Sequence, residues 1–339
     1  MKIQTSALLE SLQLVSAGLS KFGMSEQSTC YAFRRNRIHT FNDDVYCSVP
    51  FKCDFEGAIE SSGIVTVLSK ITDADLSIYW KDDEHFMIKG RRKQLTILGQ
   101  QEITMPISDI PSPKLDRYKS IPKNFGTAIT LLGDCSGSNQ QQFITTCLHL
   151  TPKGIEATDN RQAGKYSLKL PIDSSFLIRA ETARRLPSLN VDLLCVSNAW
   201  AHFRNSINGM RISLRRHEDE FLSLDPVLKI PKGAKKCPFP QDLTSAIESA
   251  TIYADGAKEI AVQIHYSPGK FRIVGKNAVG SFSEYRSVDY QGEPFSFLIA
   301  PSLLKNLSNR HSGFLFDGSK IYIRGEGFRY VSCVMEAQK

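Results

Sequence analysis

The sequence predicts an α+β fold made by repeating one small unit, and three observations predict it. A helix-spaced apolar stripe recurs six times, each time followed by strand-like runs and in four cases preceded by a short one. The 339 residues divide into thirds of 113, and each third holds two such units. Prolines break the pattern near both joints, at Asp109-Ile110-Pro111-Ser112-Pro113 and at Asp225-Pro226. Three domains of one type are therefore expected, at 1–113, 114–226 and 227–339, in keeping with roughly 150 residues per domain.

Each element has its own reason. Met1–Gln4 reads as a strand, and Leu8, Leu12, Val15 and Leu19 place a helix over Thr5–Phe22. Cys30–Arg35, Arg37–Phe41 and Val45–Pro50 alternate with polar turns and read as strands. The order returns with Gly57–Glu60, a helix over Ser62–Ile71, and strands at Leu76–Trp80, Phe86–Lys89 and Gln94–Leu98. In the second third the helices are Asn124–Leu132 and Ala180–Leu186. The strands there are Phe143–Leu150, Gly154–Thr158, Gly164–Lys169, Phe176–Ile178, Val191–Ser197, His202–Asn205 and Met210–Leu214. In the last third, helices Asp242–Tyr253 and Ser302–Leu307 accompany strands at Ile260–Tyr266, Phe271–Val274, Ser281–Tyr285, Phe295–Ile299, Phe314–Phe316, Ile321–Arg324 and Tyr330–Met335. A single βαβββ unit is too small to bury a good core, so two must share one, sheets on one side and paired helices on the other.

Composition narrows the class. Apolar residues at 41% and charged residues at 23% are those of a soluble globular protein and exclude disorder and collagen-like structure. No apolar run approaches the roughly 20 residues of a membrane helix, and Met1–Ser6 lacks the features of a signal peptide. The eight cysteines are scattered singly, which indicates buried thiols rather than a disulfide framework or a zinc site. Net charge is +7, and the successive thirds carry −2, +4 and +5, a mild pointer to a polyanionic partner.

Three segments carry a family resemblance. Leu150–Ala163, with Ala157-Thr158-Asp159-Asn160-Arg161, resembles a strand running into Ala-Thr-Asp-Gly-His/Arg-Arg-Leu in bacterial DNA sliding clamps, the beta subunit of DNA polymerase III. Met87–Leu95, with Gly90-Arg91-Arg92, is similar to that family's Ser-Gly-Arg-Ser-Arg-Phe strand pair, and Tyr330–Met335 to its Tyr-Val-Val-Met-Pro-Met ending. The resemblance implies a homodimeric ring of six domains around double-stranded DNA, helices lining the hole and sheets outside. It implies a processivity factor without bond chemistry or cofactor, which tethers the replicative DNA polymerase and is opened by a clamp loader ATPase. The cytoplasm of a bacterium or phage-infected cell is the implied location. The altered segment Asn160-Arg161-Gln162-Ala163 and the tail Glu336-Ala337-Gln338-Lys339 suggest a phage version.

Sliding needs weak phosphate contacts that position without reading bases. The basic residues expected on lumen-facing helix sides are Lys21, Lys70, Lys123, Arg179, Arg184, Arg185, Lys305 and Arg310. The turns Arg34-Arg35-Asn36-Arg37, Arg91-Arg92-Lys93 and Arg215-Arg216 are weaker candidates, and Lys232, Lys235 and Lys236 are placed in an entry loop. The resemblance further implies a partner-peptide groove walled by Phe143, Thr158, Asn160, Arg161, Gln162, Val334 and Met335. Enzyme readings lack a motif: the seven histidines are dispersed, and Gly325-x-Gly327 lies in a strand turn rather than between a strand and a helix. A clamp-fold scaffold that does not encircle DNA is the alternative, and an enzyme on the same scaffold is a more distant one.

Overall fold

The computed structural model describes residues 1–20, 23, 25–254 and 260–336. Its element order repeats the strand–helix–three-strand unit six times. The first two copies are β1 (Lys2–Gln4), α1 (Thr5–Val15), β2 (Cys30–Arg34), β3 (Arg37–Phe41), β4 (Val45–Pro50), then β5 (Gly57–Glu60), α2 (Ile64–Leu68), β6 (Asp75–Trp80), β7 (His85–Lys89) and β8 (Gln94–Gln100). The next two are β9 (Lys119–Ser120), α3 (Phe125–Gly133), β10 (Cys147–Thr151), β11 (Gly154–Thr158), β12 (Gln162–Ser167), then β13 (Phe176–Arg179), α4 (Ala180–Ala183), β14 (Leu193–Val196), β15 (Trp200–Arg204) and β16 (Arg211–Arg215). The last two are β17 (Lys235–Pro238), α5 (Leu243–Ile252), β18 (Val262–Ser267), β19 (Lys270–Lys276), β20 (Ser281–Ser287), then β21 (Phe295–Ile299), α6 (Pro301–Arg310), β22 (Gly313–Phe316), β23 (Lys320–Arg324) and β24 (Phe328–Cys333), with β25 (Met335–Glu336) appended. The fold is α+β with antiparallel sheets.

The strand pairings explain why copies come in twos. The first strand of each copy joins the second strand of its partner copy: β1 pairs β6 and β5 pairs β2. Likewise β9 pairs β14 and β13 pairs β10, while β17 pairs β22 and β21 pairs β18. A copy alone has neither a complete sheet nor a partner for its helix, so the exchange lets the pair bury one core. Helix contacts follow the same pairing, α1 with α2, α3 with α4 and α5 with α6.

The chain forms two compact units, Met1–Ile155 with Leu168–Phe221, and Glu156–Ser167 with Leu222–Lys339. The first holds a 12-stranded sheet, β1-β6-β7-β8-β5-β2-β3-β4-β16-β15-β14-β9, in which β4 and β16 pair with Ser48 opposite Arg211. Leu8, Leu12 and Val15 of α1 are at most 1% exposed, and each fully buried aliphatic side chain of this kind contributes roughly 1.5–3 kcal/mol. The Thr40 hydroxyl donates to the Val15 carbonyl at 2.5 Å, which ties the end of the helix to β3. On the opposite sheet face a second cluster, with Phe41, Tyr46 and Trp200, is covered by Met105 and Ile110 from the proline-broken segment. The second unit holds β12-β24-β23-β22-β17 in one run of strands and β20-β19-β18-β21-β25 in a five-stranded sheet. There Gly275 of β19 lies so close to α5 that a Cβ would sit 1.9 Å from the Ala250 carbonyl oxygen.

Several boundaries differ from expectation. The strand expected over Phe143–Leu150 starts at Cys147, and Gln140–Thr146 is a 3-10 helix. Thr145 and Thr146 donate their hydroxyls to the carbonyls of Gln142 and Phe143 at 2.7 Å, a local bonding that competes with a strand ladder. The helix expected over Ala180–Leu186 is α-helical only to Ala183, because Pro187 removes a donor and opens a separate 3-10 turn. The helix over Ser62–Ile71 shortens to Ile64–Leu68, entered through Gly63 at φ 74°. Strands β9 and β17 were not expected. Both are short and lysine-bearing, so Lys235 and Lys236 lie in a strand rather than a loop. None of the eight cysteines forms a disulfide among the described residues, but Cys53 is only partly covered and Cys333 is exposed.

Candidate partner groove and nucleic-acid interface

The turn between β11 and β12 is built by side chains. Asp159 accepts the backbone N–H groups of Arg161 at 2.9 Å and Gln162 at 2.8 Å through Oδ1, and the Gln162 side-chain amide at 3.0 Å through Oδ2. The Thr158 hydroxyl donates to the Gln162 carbonyl at 2.8 Å, and Asn160 takes the left-handed conformation at φ 72°. Asparagine suits that position, since it tolerates positive φ better than most residues. The Cys333 N–H donates to the Arg161 carbonyl at 2.8 Å, and the Tyr330 hydroxyl to Gln162 Oε1 at 2.9 Å, so the turn is locked to β24.

After β24 the chain crosses at Val334 to β25, where Met335 pairs with Leu298 of β21. The crossing leaves a groove of about 490 Å³ between the β11–β12 turn, β21, the first turn of α6 and the C-terminal strand. Leu298, Ala300, Leu303, Val334, Met335 and Ile260 supply apolar wall, while Asp159, Arg161, Gln162, Ser302 and Ser332 supply a polar rim. Ile260 is 54% and Met335 44% exposed, so apolar surface is available to an incoming chain. An apolar trough with a few convergent polar groups suits one or two anchoring side chains of an extended peptide. Nearby, burial alone would lower the Lys165 ammonium, but the Glu156 carboxylate at 2.7 Å and Asp225 at 3.1 Å hold it above its ordinary value. Asp225, also 3.0 Å from Arg329, is held low chiefly by its bond to Lys165, which braces β12 and β24 behind the groove.

The structure brings Arg161, Gln162, Val334 and Met335 together at this groove. Thr158 and Asn160 shape its turn without lining it. Phe143 belongs to the other compact unit, edge-on to His217 at 4.6 Å and beneath the Arg179 guanidinium at 5.0 Å. Ile260, Leu298, Ala300 and Leu303 went unnoticed in the sequence because each reads as an ordinary apolar residue of a strand or helix.

The basic residues sit mostly beside helices, not on them. Only Lys305 and Arg310 lie within a described helix; Arg179 and Arg184 cap the two ends of α4, and Lys70, Lys123 and Arg185 occupy adjoining turns. This corrects the expected placement: Lys70, Arg184 and Arg185 fall outside because α2 and α4 end early, whereas Lys123 and Arg179 precede their helices. Lys21 lies outside the described residues. Arg179 holds Asp44 at 3.1 Å and Lys305 holds Glu248 at 2.7 Å. The Arg184 guanidinium donates to the Gly133 carbonyl and, at 3.2 Å, to the Ser136 hydroxyl. It joins the Ser136 N–H and hydroxyl, which also donate to the Gly133 carbonyl, at the C-terminus of α3, where a cation suits the helix dipole. Lys70, Lys123, Arg185 and Arg310 are exposed. Of the weaker candidates, Arg215 and Arg216 stack on Trp200 and Phe176 at 4.8 and 4.7 Å.

No protein-family profile matches the chain, and no curated protein does. Solved structures do, from end to end, and the fold they share with this chain is that of the DNA sliding clamp. The DNA polymerase III beta chain from Streptococcus pneumoniae superposes with a TM-score of 0.78 at 15% identity, with 99% of each chain covered. The sliding clamp from Bacillus subtilis gives 0.76 at 15%, again with 99% of each chain covered. A sliding clamp from Pseudomonas aeruginosa bound to griselimycin gives 0.76 at 15% with the same coverage. The chain therefore has the fold of a bacterial DNA polymerase III beta subunit, in a sequence far diverged from all three.

Proposed function

We propose that the protein is a DNA sliding clamp: a processivity factor that encircles duplex DNA as a homodimeric ring and tethers a replicative DNA polymerase, with no bond chemistry of its own. The observation that carries this reading is the sliding-clamp fold matched over 99% of both chains. In it the three pairs of copies are three domains, at 1–113, 114–226 and 227–339. A clamp loader ATPase opens the ring, in the cytoplasm of a bacterium or a phage-infected cell; no described helix is long and apolar enough to cross a membrane. The groove takes an extended peptide from the polymerase and the loader, with Leu298, Val334 and Met335 receiving its apolar side chains.

Two open strand edges support the ring. Among the described residues, β8 along Gln94–Leu98 has a neighbour only in β7, and β20 has one only in β19. Leu98 and Tyr285 on these edges are each 61% exposed, an arrangement that invites pairing with another copy. We assign β8 of one copy to β20 of the next, twice around the ring. One observation favours the scaffold alternative: the described helices carry Lys305 and Arg310 against Glu10, Glu181 and Glu248, little positive charge for a DNA-lined hole.

The deciding experiment loads the protein on nicked circular DNA and linearises the circle. Retention on the circle with release on cutting, and a solution mass twice the chain's 37.9 kDa, is the expected result. A monomer that binds both DNA forms alike refutes encirclement. For the groove, a fluorescent clamp-binding peptide is expected to lose at least tenfold in affinity with Met335→Asp, and an unchanged anisotropy curve refutes the assignment.

A further inference from the structure

The sheet register collects arginines on one face. Along β3, Thr40 points to α1, so Arg37 and His39 point to the other side. The antiparallel partners then form one row across four strands: His39 of β3 opposite Ser48 of β4, Ser48 opposite Arg211 of β16, and Arg211 opposite Arg204 of β15. At the adjoining hairpin Arg34 stands opposite Arg37, and Arg35 occupies the turn. Residues directly opposite one another share a face about 5 Å apart. Five guanidiniums therefore converge on one cavity of about 410 Å³, roofed by Ile107, Ser108, Ile110 and Ser112 of the proline-broken segment.

No carboxylate lines this cavity, and among the described residues none of the five takes part in an ion pair. Arg211 is only 8% exposed; its Nη1 donates to Ser112 Oγ at 2.8 Å, and its Nε is buried without a hydrogen-bond partner, as is Nε of Arg204. Arg37 is spent on Ser48 and the Gly209 carbonyl at 3.0 Å. His39 adds no charge: its ring, 2.8 Å from the Tyr46 hydroxyl, is pushed down to about 4, first by burial and then by the arginines. A partly buried, uncompensated cluster of like charges is costly unless something anionic enters.

We propose that this cavity is a binding site for a small polyphosphate anion, such as inorganic triphosphate or the phosphate chain of a nucleotide. Planar guanidiniums match phosphate oxygens in pairs, and the hydroxyls of Ser48 and Ser112 add donors at the walls. The volume is that of a small-molecule site rather than of one phosphate. The face is the one turned away from α1, so the site is independent of contacts made by the helices, and its failure leaves the clamp reading untouched.

The test uses the full chain. Calorimetry at low salt compares triphosphate, ATP, orthophosphate and sulfate, and phenylglyoxal labelling read by peptide mass spectrometry reports which arginines a ligand covers. Triphosphate is expected to bind at least tenfold tighter than orthophosphate or sulfate, and to protect Arg34, Arg35 and Arg204 while Arg91 and Arg92 stay reactive. Equal binding of ATP assigns recognition to the phosphate chain; tighter ATP binding adds a base contact, and weaker ATP binding marks the inorganic anion as the ligand. Arg204→Ser and Arg34→Ser are each expected to weaken binding about tenfold, and the labelling pattern needs no variant should either fold poorly. Equal affinity for sulfate, uniform protection, or protection by duplex DNA and not by triphosphate overturns the proposal.

Discussion

Lowering the pH from 7.5 to 5 is expected to destabilise the protein through two buried imidazoles. His202 is fully buried between the hydroxyls of Ser213 at 2.8 Å and Ser197 at 3.1 Å, and burial, helped by Arg211, pushes it down to about 3. His39 is pushed down to about 4 for the same first reason. A folded value below the unfolded 6.5 gives stability that is complete above pH 6.5 and lost as the pH falls towards the folded value. At pH 5 an unfolded imidazole is almost wholly protonated and a folded one at 4 or 3 is not, which amounts to about 2 kcal/mol per histidine and about 4 kcal/mol together. His217, His265 and His311, also lowered by burial, add to it with the same sign. The lowered carboxyls of Asp82, Asp225 and Asp317 start from 3.8 and act below this window, and the raised cysteine and tyrosine groups act above pH 9. Urea unfolding followed by circular dichroism in acetate and Tris buffers, free of phosphate, measures the difference. A drop below about 1 kcal/mol, or an undiminished drop in the His39→Gln, His202→Gln double variant, refutes the argument.

Three further outcomes are expected. Arg184→Ala removes a charged donor from the C-terminus of α3 and costs about 1 kcal/mol, a figure discounted for its exposure; Arg185→Glu leaves stability within about 0.5 kcal/mol and lowers the salt slope of DNA binding by about 1. Denaturation curves and salt titrations separate the two. Leu98→Arg or Tyr285→Arg is expected to give a 37.9 kDa monomer by light scattering without loss of helical signal. Gly275→Ala drives a methyl into the Ala250 carbonyl and is expected to cost about 2 kcal/mol or more, visible as a lowered unfolding midpoint.

What the sequence made legible was the repetition. Helical spacing and alternation placed all six helices and most strands, because both report burial on one face, and burial is what pairing two copies requires. It did not reveal β9 and β17, whose Lys119 and Lys235-Lys236 look like solvated loop; they are edge strands held by backbone bonds to β14 and β22 rather than by apolar side chains. Helix lengths were overestimated where a backbone feature stops the helix, as Pro187 does after Ala183, since an apolar stripe continues past the point where the backbone turns. The groove was half legible. Asp159 to Gln162 and Val334 to Met335 sit in recognisable segments, whereas Leu298 and Leu303 reach the groove only through the crossing of the chain between two sheets.

The distribution of charge bears most directly on mechanism. A net +7 invites the picture of basic helices facing DNA, yet the described helices hold fewer cations than carboxylates. The excess lies instead in the turns that flank helices, where Lys70, Lys123 and Arg185 form no ion pair among the described residues, and on the sheet face around Arg204 and Arg211. Long, exposed side chains on turns make weak and interchangeable phosphate contacts, and a topologically held ring needs no stronger ones, since escape from DNA is prevented by closure. Tight contacts would oppose sliding. The converged arginines between β2 and β15 are of the opposite kind: partly buried, two of them held by Ser48, Ser112 and Gly209, and placed by strand register. A mobile phosphate backbone gains little from such a site, whereas a compact polyanion matches it, so the clamp reading and the anion proposal assign the two populations of positive charge to two different ligands.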